Sequence, residues 1–245
     1  MSDIRMATLS FLLIFLANFA SAQDYDRGVE AYNNGDYQIA LQAWLPLAEQ
    51  GDARSQFNIG WMYDNAIGVR HSDIESVKWY RLAAEQGYAL AQNYLGFRLK
   101  SSAEMDRDDT EAARWFKRAA EQGDAYGQTN LGLAYLLGEG VDRNDAEAAR
   151  WIERSARQGY ADGQYFLGLL YVKGQGVPRS LKAAYMWYHI ADLNGHVFDN
   201  NRSGPANSAQ EAKVDIWHKL TSSERSEAEV LARDCIHSNY ESCGW

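Results

Sequence analysis

From about residue 52 to residue 195, apolar and small side chains recur at helical spacing in two runs per 36 residues. Glycines punctuate the runs in fixed register: Gly51, Gly87, Gly123, Gly159 and Gly195 form one series, and Gly60, Gly96, Gly132 and Gly168 another. The first run opens at Ala53, Ala89, Ala125 and Ala161 and passes through Gln56, Gln92, Gln128 and Gln164. It then crosses the second glycine and reaches Tyr63, Leu99, Tyr135 and Tyr171. The second run carries Trp79, Trp115, Trp151 and Trp187, each followed four residues later by Ala83, Ala119, Ser155 or Ala191. A large ring with a small residue one turn on makes a ridge and a hollow for a neighbouring helix. The pattern predicts four stacked helix pairs.

Local chemistry places the helix ends. Ser72, Asp108, Asn144 and Ser180 fall in register as N-caps of the second helix, because their side chains accept from the orphan amides of a helix start. Glu75, Glu111 and Glu147 complete the pattern of a capping box, whereas Ser180 is followed by Ala183 and predicts a weaker cap. Gly123 and its four equivalents are expected one residue past the helix end, where the chain turns left-handed. The second glycine series lies mid-helix, at a cost of about 1 kcal/mol each against alanine, so close helix packing must offset it. Between the helices run the turn-rich loops AIGV (66–69), GEGV (138–141) and GQGV (174–177). The second copy has SAEM at 102–105, which keeps the length, loses both glycines and requires other residues or another path.

These residues resemble the Sel1-like repeat family, a relative of the tetratricopeptide repeat. The resemblance rests on A-x-x-Q-x-x-[IL]-G-x-x-[YL], a G-x-G-V loop, A-x-x-W-[YFI] and A-A-E-Q-G, in four copies over roughly 52–195. It implies an all-α, right-handed α/α superhelical solenoid of the kind that serves as a scaffold or adaptor, frequently in bacterial envelopes. Terminal units of such a stack differ in order to cover it. Residues 23–51 read as a shorter, tetratricopeptide-like capping pair turning at Gly35, with Pro46 expected to distort its second helix. The repeat pattern fails after Gly195, so 196–210 reads as a loop and 211–245 as a C-terminal helical cap. That cap holds a helix near Ser208 to Lys219 and a last one opened by the box Thr221-x-x-Glu224.

Composition narrows the cellular setting. Residues 1–22 have Arg5, an apolar run from about Ala7 to Phe19 and a small-x-small site at Ala20-Ser21-Ala22, which reads as a signal peptide cleaved near Ala22. The alternative, a membrane anchor, needs roughly 20 apolar residues. Export to the periplasm or medium follows. The net charge of -9 and the lack of a basic cluster with interleaved aromatics argue against nucleic acid as partner. Two cysteines, Cys235 and Cys243, are most simply a disulfide in an exported chain, since the C-x-x-C of a redox site is missing.

No sequence pattern for catalysis emerges. H-E-x-x-H, G-x-S-x-G, the P-loop and S-x-x-K are all missing, the cysteines are too few for a zinc cage, and His71, His189, His196, His218 and His237 lack helical pairing. The expectation is therefore no cofactor, no metal and no catalytic residue. By similarity to the tetratricopeptide repeat, positions one, four and eight after each opening alanine face a concave groove. Setting aside those read as seam filling, such as Leu133 and Leu169, the candidate partner-binding residues are Arg54, Phe57, Trp61, Asn93, Phe97, Tyr126, Thr129 and Tyr165. Aromatic anchors of this kind suit a protein or peptide partner, here one of the cell envelope. A binder or hydrolase of β-lactams or cell-wall fragments, an activity associated with some cysteine-rich members of the family, is the alternative class.

Overall fold

The computed structural model describes residues 23–198 and 208–243; the expected signal peptide, residues 1–22, lies outside them. Every regular element among the described residues is a helix: α1 (23–33), α2 (Tyr37–Glu49), α3 (Ala53–Asp64), α4 (Asp73–Glu85), α5 (Ala89–Ser101), α6 (Asp109–Glu121), α7 (Ala125–Leu137), α8 (Asp145–Ala156), α9 (Ala161–Lys173), α10 (Leu181–Phe198), α11 (Ser208–Trp217) and α12 (Ser222–His237). The architecture is the expected all-α helix-pair solenoid, and it divides into two compact units, one ending at Arg107 and the other starting at Asp108. None of the described helices is long and apolar enough to cross a membrane.

The caps form as the sequence requires. Ser72 accepts from the Glu75 amide, Asp108 from Glu111, Asn144 from Ala146 and Glu147, and Ser180 from Ala183. The acidic partners behave differently from expectation, for Glu75 turns to Lys78 at 3.3 Å and Glu147 to Arg150 at 2.8 Å. Thr221 and Glu224 make the full reciprocal box. At the helix ends, Gly51, Gly87, Gly123 and Gly159 take φ between +81° and +98°. Gly195 is a correction: α10 continues through it to Phe198, and α11 already begins at Ser208, so the expected loop 196–210 is shorter at both ends. α2 continues through Pro46, which is exposed, to Glu49.

The mid-helix glycines hold the helix pairs together. A Cβ on Gly132 would lie 2.5 Å from Ile152 Cγ1 in α8, one on Gly60 2.7 Å from the Tyr80 ring in α4, and one on Gly168 2.8 Å from the Tyr188 ring in α10. Only hydrogen fits there. The in-register glutamines do a second job. Gln56, Gln92, Gln128 and Gln164 are buried and donate Nε2 to the carbonyls of Ala48, Ala84, Ala120 and Ala156 at 2.9–3.3 Å, a second bond to carbonyls that also accept from the amides of Gly51, Gly87, Gly123 and Gly159 at the end of the preceding helix. Two of their Oε1 atoms accept in turn from just past the second helix of the same repeat, Gln56 from Gln86 and Gln128 from Gln158, both at 2.7 Å.

Asn194 continues this ladder onto Gln164 at 2.9 Å, where the C-terminal tail closes it. The Cys235–Cys243 disulfide, with both cysteines buried, folds the tail back so that the Tyr240 hydroxyl meets Asn194 Nδ2 at 2.8 Å. The Tyr240 ring lies over Gly159, and Arg157 donates to the Tyr240 and Glu241 carbonyls. The tail is thus fastened to α12 by a covalent bond and to the third and fourth repeats by a polar seam.

Candidate functional site

The first helix of each repeat was expected to present the partner-binding face, and the two units are described separately. In the first, α3 and α5 carry the candidates. The Arg54 guanidinium lies 4.0 Å over the Tyr25 ring of α1 and 3.6 Å from Asp52, and it borders a shallow hollow of about 180 Å³ with Leu47, Gln50 and Asp52. Phe57 is half-buried among Tyr80, Tyr88 and Tyr94, with ring centroids 5.4–5.5 Å apart. Trp61, also half-buried, meets Tyr94 edge-on at 5.4 Å and donates Nε1 to the Tyr32 hydroxyl at 3.0 Å. Phe97 is 45% exposed, with the Arg98 guanidinium 5.0 Å from its ring. Aromatic side chains of α1, α3, α4 and α5 therefore form one cluster of Tyr32, Phe57, Trp61, Tyr80 and Tyr94, while Phe97 on α5 stands exposed beside Arg98.

In the second unit the candidates sit on α7 and α9. Tyr126 is 44% exposed with its ring 4.4 Å from that of Tyr160, and half-buried Tyr165 packs against Phe166 and Tyr188. Two residues depart from expectation. Asn93 and Thr129 are each 4% exposed, and Thr129 donates to Ser155 Oγ of α8 at 2.8 Å. Both are buried, Thr129 in the seam between α7 and α8. The cause is size, since Phe57 and Tyr165 at the same register reach past the seam to the tyrosine of the second helix, while Asn and Thr end inside it.

The SAEM loop follows its own path. In the glycine-bearing loops, Gly140 and Gly176 take φ of +72° and +70° and lie so close to the first residue of the preceding second helix that a Cβ would fall about 2 Å from the carbonyl of Asp109 or Asp145. Glu104 occupies that register in the second copy and cannot make the same approach. Instead Ser102 stays extended at φ -61°, ψ 139°, and Ser102 Oγ and the Ala103 amide each donate to Asp73 Oδ2 at 2.9 Å. Glu104 accepts from the Ile74 amide and the Ser72 hydroxyl at the start of α4.

This path gathers a polar cluster that spacing did not reveal: Asp64 at the end of α3, His71 in the loop, Asp73 opening α4 and Arg98 near the end of α5. Arg98 Nη1 lies 3.2 Å from Asp73 Oδ1, and Arg98 Nε lies 3.1 Å from Asp64 Oδ1. Burial pushes the Asp64 carboxyl above its ordinary range despite Arg98 and the Tyr80 hydroxyl. Burial also opposes the charge on Asp73, but the Ala103 amide, Ser102 and Arg98 outweigh it and hold that carboxyl low. The one sequence signal was departure from the repeat, for Asp64 stands where other copies have Lys100, Leu136 and Val172, and Arg98 where they have Met62, Ala134 and Leu170.

Comparison with known proteins supports the repeat assignment. The family described as Sel1 repeat matches residues 53–88, 89–124, 125–160 and 161–196, more than half of the chain. The crystal structure of a Sel1 repeat protein from Oxalobacter formigenes is similar over 79% of this chain and 84% of that one, with 30% identity and a TM-score of 0.67. A protective antigen of uropathogenic Escherichia coli with an SLR fold is similar over 91% of this chain, with 25% identity and a TM-score of 0.55; this chain spans about half of that protein (54%). No curated protein matches the chain in sequence. None of these comparisons indicates an enzymatic family.

Proposed function

The chain belongs to the Sel1 repeat family, whose members typically mediate protein–protein interaction, and on that premise we propose that it is a non-catalytic scaffold or adaptor of the bacterial cell envelope. It binds a protein or peptide through aromatic side chains exposed on the first helices of its repeats. The observation that carries this reading is the pair of exposed rings, Phe97 on α5 and Tyr126 on α7, each at a register expected to face a partner. Large apolar side chains left 44–45% exposed beside half-buried aromatics are the composition of an interface anchor. Arg54 adds a planar cation already stacked on Tyr25, so little of its freedom is left to lose on binding.

The apolar leader and the buried Cys235–Cys243 disulfide support export, since such bonds persist in oxidising compartments. To test the reading, envelope proteins are cross-linked to wild-type chain and to Phe97→Ser/Tyr126→Ser, and the captured species compared. These two side chains are exposed, so the variant should fold normally and lose the partner. Unchanged capture would remove the assignment, and turnover of a chromogenic β-lactam or of peptidoglycan fragments by the pure protein would replace it with the hydrolase reading.

A further inference from the structure

The cluster around Asp64, His71 and Asp73 gathers three carboxylates about one imidazole and one guanidinium. Asp64 and Asp73 side chains are 5% and 3% exposed, and Glu104 adds a third carboxylate, against the single guanidinium of Arg98. Helix packing does not require these charges, because two of the other three copies fill the Asp64 register with Leu136 and Val172, and all three fill the Arg98 register with Met62, Ala134 and Leu170. Retaining buried ionic groups where apolar ones suffice costs stability unless something further compensates. A second feature points the same way: Asp64 Oδ1 and Arg98 Nε are both buried and, although 3.1 Å apart, make no hydrogen bond to each other or to any other group.

The geometry around those atoms is that of oriented ligands. Tyr80 donates to Asp64 Oδ2 at 3.1 Å, and Ser102 and Ala103 donate to Asp73 Oδ2, so the far oxygens are held and both Oδ1 atoms face Arg98, whose Nε lies 3.1 Å from Asp64 Oδ1 and whose Nη1 donates to Asp73 Oδ1 at 3.2 Å. His71 turns Nε2 to within 3.4 Å of Asp73 Oδ1 and Nδ1 to 3.8 Å from Glu104 Oε1. One ligand atom from each of Asp64, His71 and Asp73 lies within 4.8 Å of the others. A histidine that faces a carboxylate with one nitrogen and the ligand space with the other is the usual outer-shell support of a metal-bound imidazole.

We propose that Asp64, His71 and Asp73 form a binding site for one divalent cation of the zinc class, which takes mixed imidazole and carboxylate ligands. Glu104 orients His71. Arg98 is the resident counter-charge that the cation displaces, and its long side chain, one-fifth exposed and already beside the Phe97 ring, has a route outward. The SAEM loop then has a purpose: by losing its glycines it supplies Ser102, Ala103 and Glu104 to hold the ligand set.

Zinc chloride is titrated calorimetrically into the full chain, purified without an affinity tag and stripped with chelator, alongside His71→Ala, Glu104→Gln and Arg98→Met. Expected are one ion per wild-type chain, at least a tenfold loss of affinity in His71→Ala, about a tenfold loss in Glu104→Gln, and tighter binding in Arg98→Met, where the competing charge is gone. His71 is half-exposed, so its alanine variant should keep the wild-type circular dichroism spectrum and melting curve in the absence of metal. Failure of the wild type to bind zinc below about 1 mM, or affinity unchanged in His71→Ala, overturns the proposal.

Discussion

Gly132→Ala sets two opposing effects against each other. Alanine in a helix interior gains about 1 kcal/mol over glycine. Against that, the new methyl would lie 2.5 Å from Ile152 Cγ1 and 3.0 Å from the Ala148 carbonyl oxygen. The carbonyl belongs to the backbone of α8 and moves only if the helix moves, so the upper part of the about 1–3 kcal/mol typical of overpacking applies. The net expectation is a loss of about 1–2 kcal/mol, read by urea unfolding followed by circular dichroism. Gly123→Ala provides the contrast, since its φ of +91° imposes conformational strain but no atom lies within 4 Å. Ile152→Ala should therefore couple to Gly132→Ala by about 1 kcal/mol or more in a double-mutant cycle and be additive with Gly123→Ala. A Gly132→Ala variant as stable as wild type, or one that does not couple to position 152, would refute the close-packing account.

Two further outcomes follow from the C-terminal cap. Reducing the Cys235–Cys243 disulfide, or replacing both cysteines with serine, should cost about 2–3 kcal/mol by the loop-entropy relation and speed amide exchange around Asn194 and Tyr240; protection unchanged on reduction would show that the polar seam alone holds the tail. His189 is lowered below its ordinary value of 6.5 by burial and by Lys213, against the pull of Glu229 and Asp192. The unfolded chain then binds more protons than the folded one between the lowered value and 6.5, so stability rises with pH through that window and falls on acidification. His189→Gln should lose less stability than wild type between about pH 7.5 and pH 5.5, and an identical pH dependence in the two chains would contradict this assignment.

How far the sequence reaches depends on whether a feature repeats. Gly132, Gln128 and Asn144 are readable because four copies place the same chemistry at the same register, and the structure uses Gly60, Gly132 and Gly168 alike, as it does the four glutamines and the four caps. Gly195 breaks this rule since no fifth repeat follows to end α10, and the helix simply continues. Asn93 and Thr129 were assigned by counting positions, which fixes a direction but not a reach; at that register only Phe57 and Tyr165 are long enough to emerge. The cluster at Asp64 was invisible because its members come from two helices, two loops and a helix start spread over 41 positions, from 64 to 104. Its trace was a set of exceptions to the repeat, and exceptions carry no period.

The most direct test of the scaffold reading is site-specific photo-cross-linking in the intact envelope, with the reactive residue placed at Phe97, at Tyr126 and, as control, at Arg114 on the exposed side of α6. The account predicts that positions 97 and 126 each yield a protein adduct while position 114 yields none. An adduct formed from position 114 with both aromatic positions silent would contradict it.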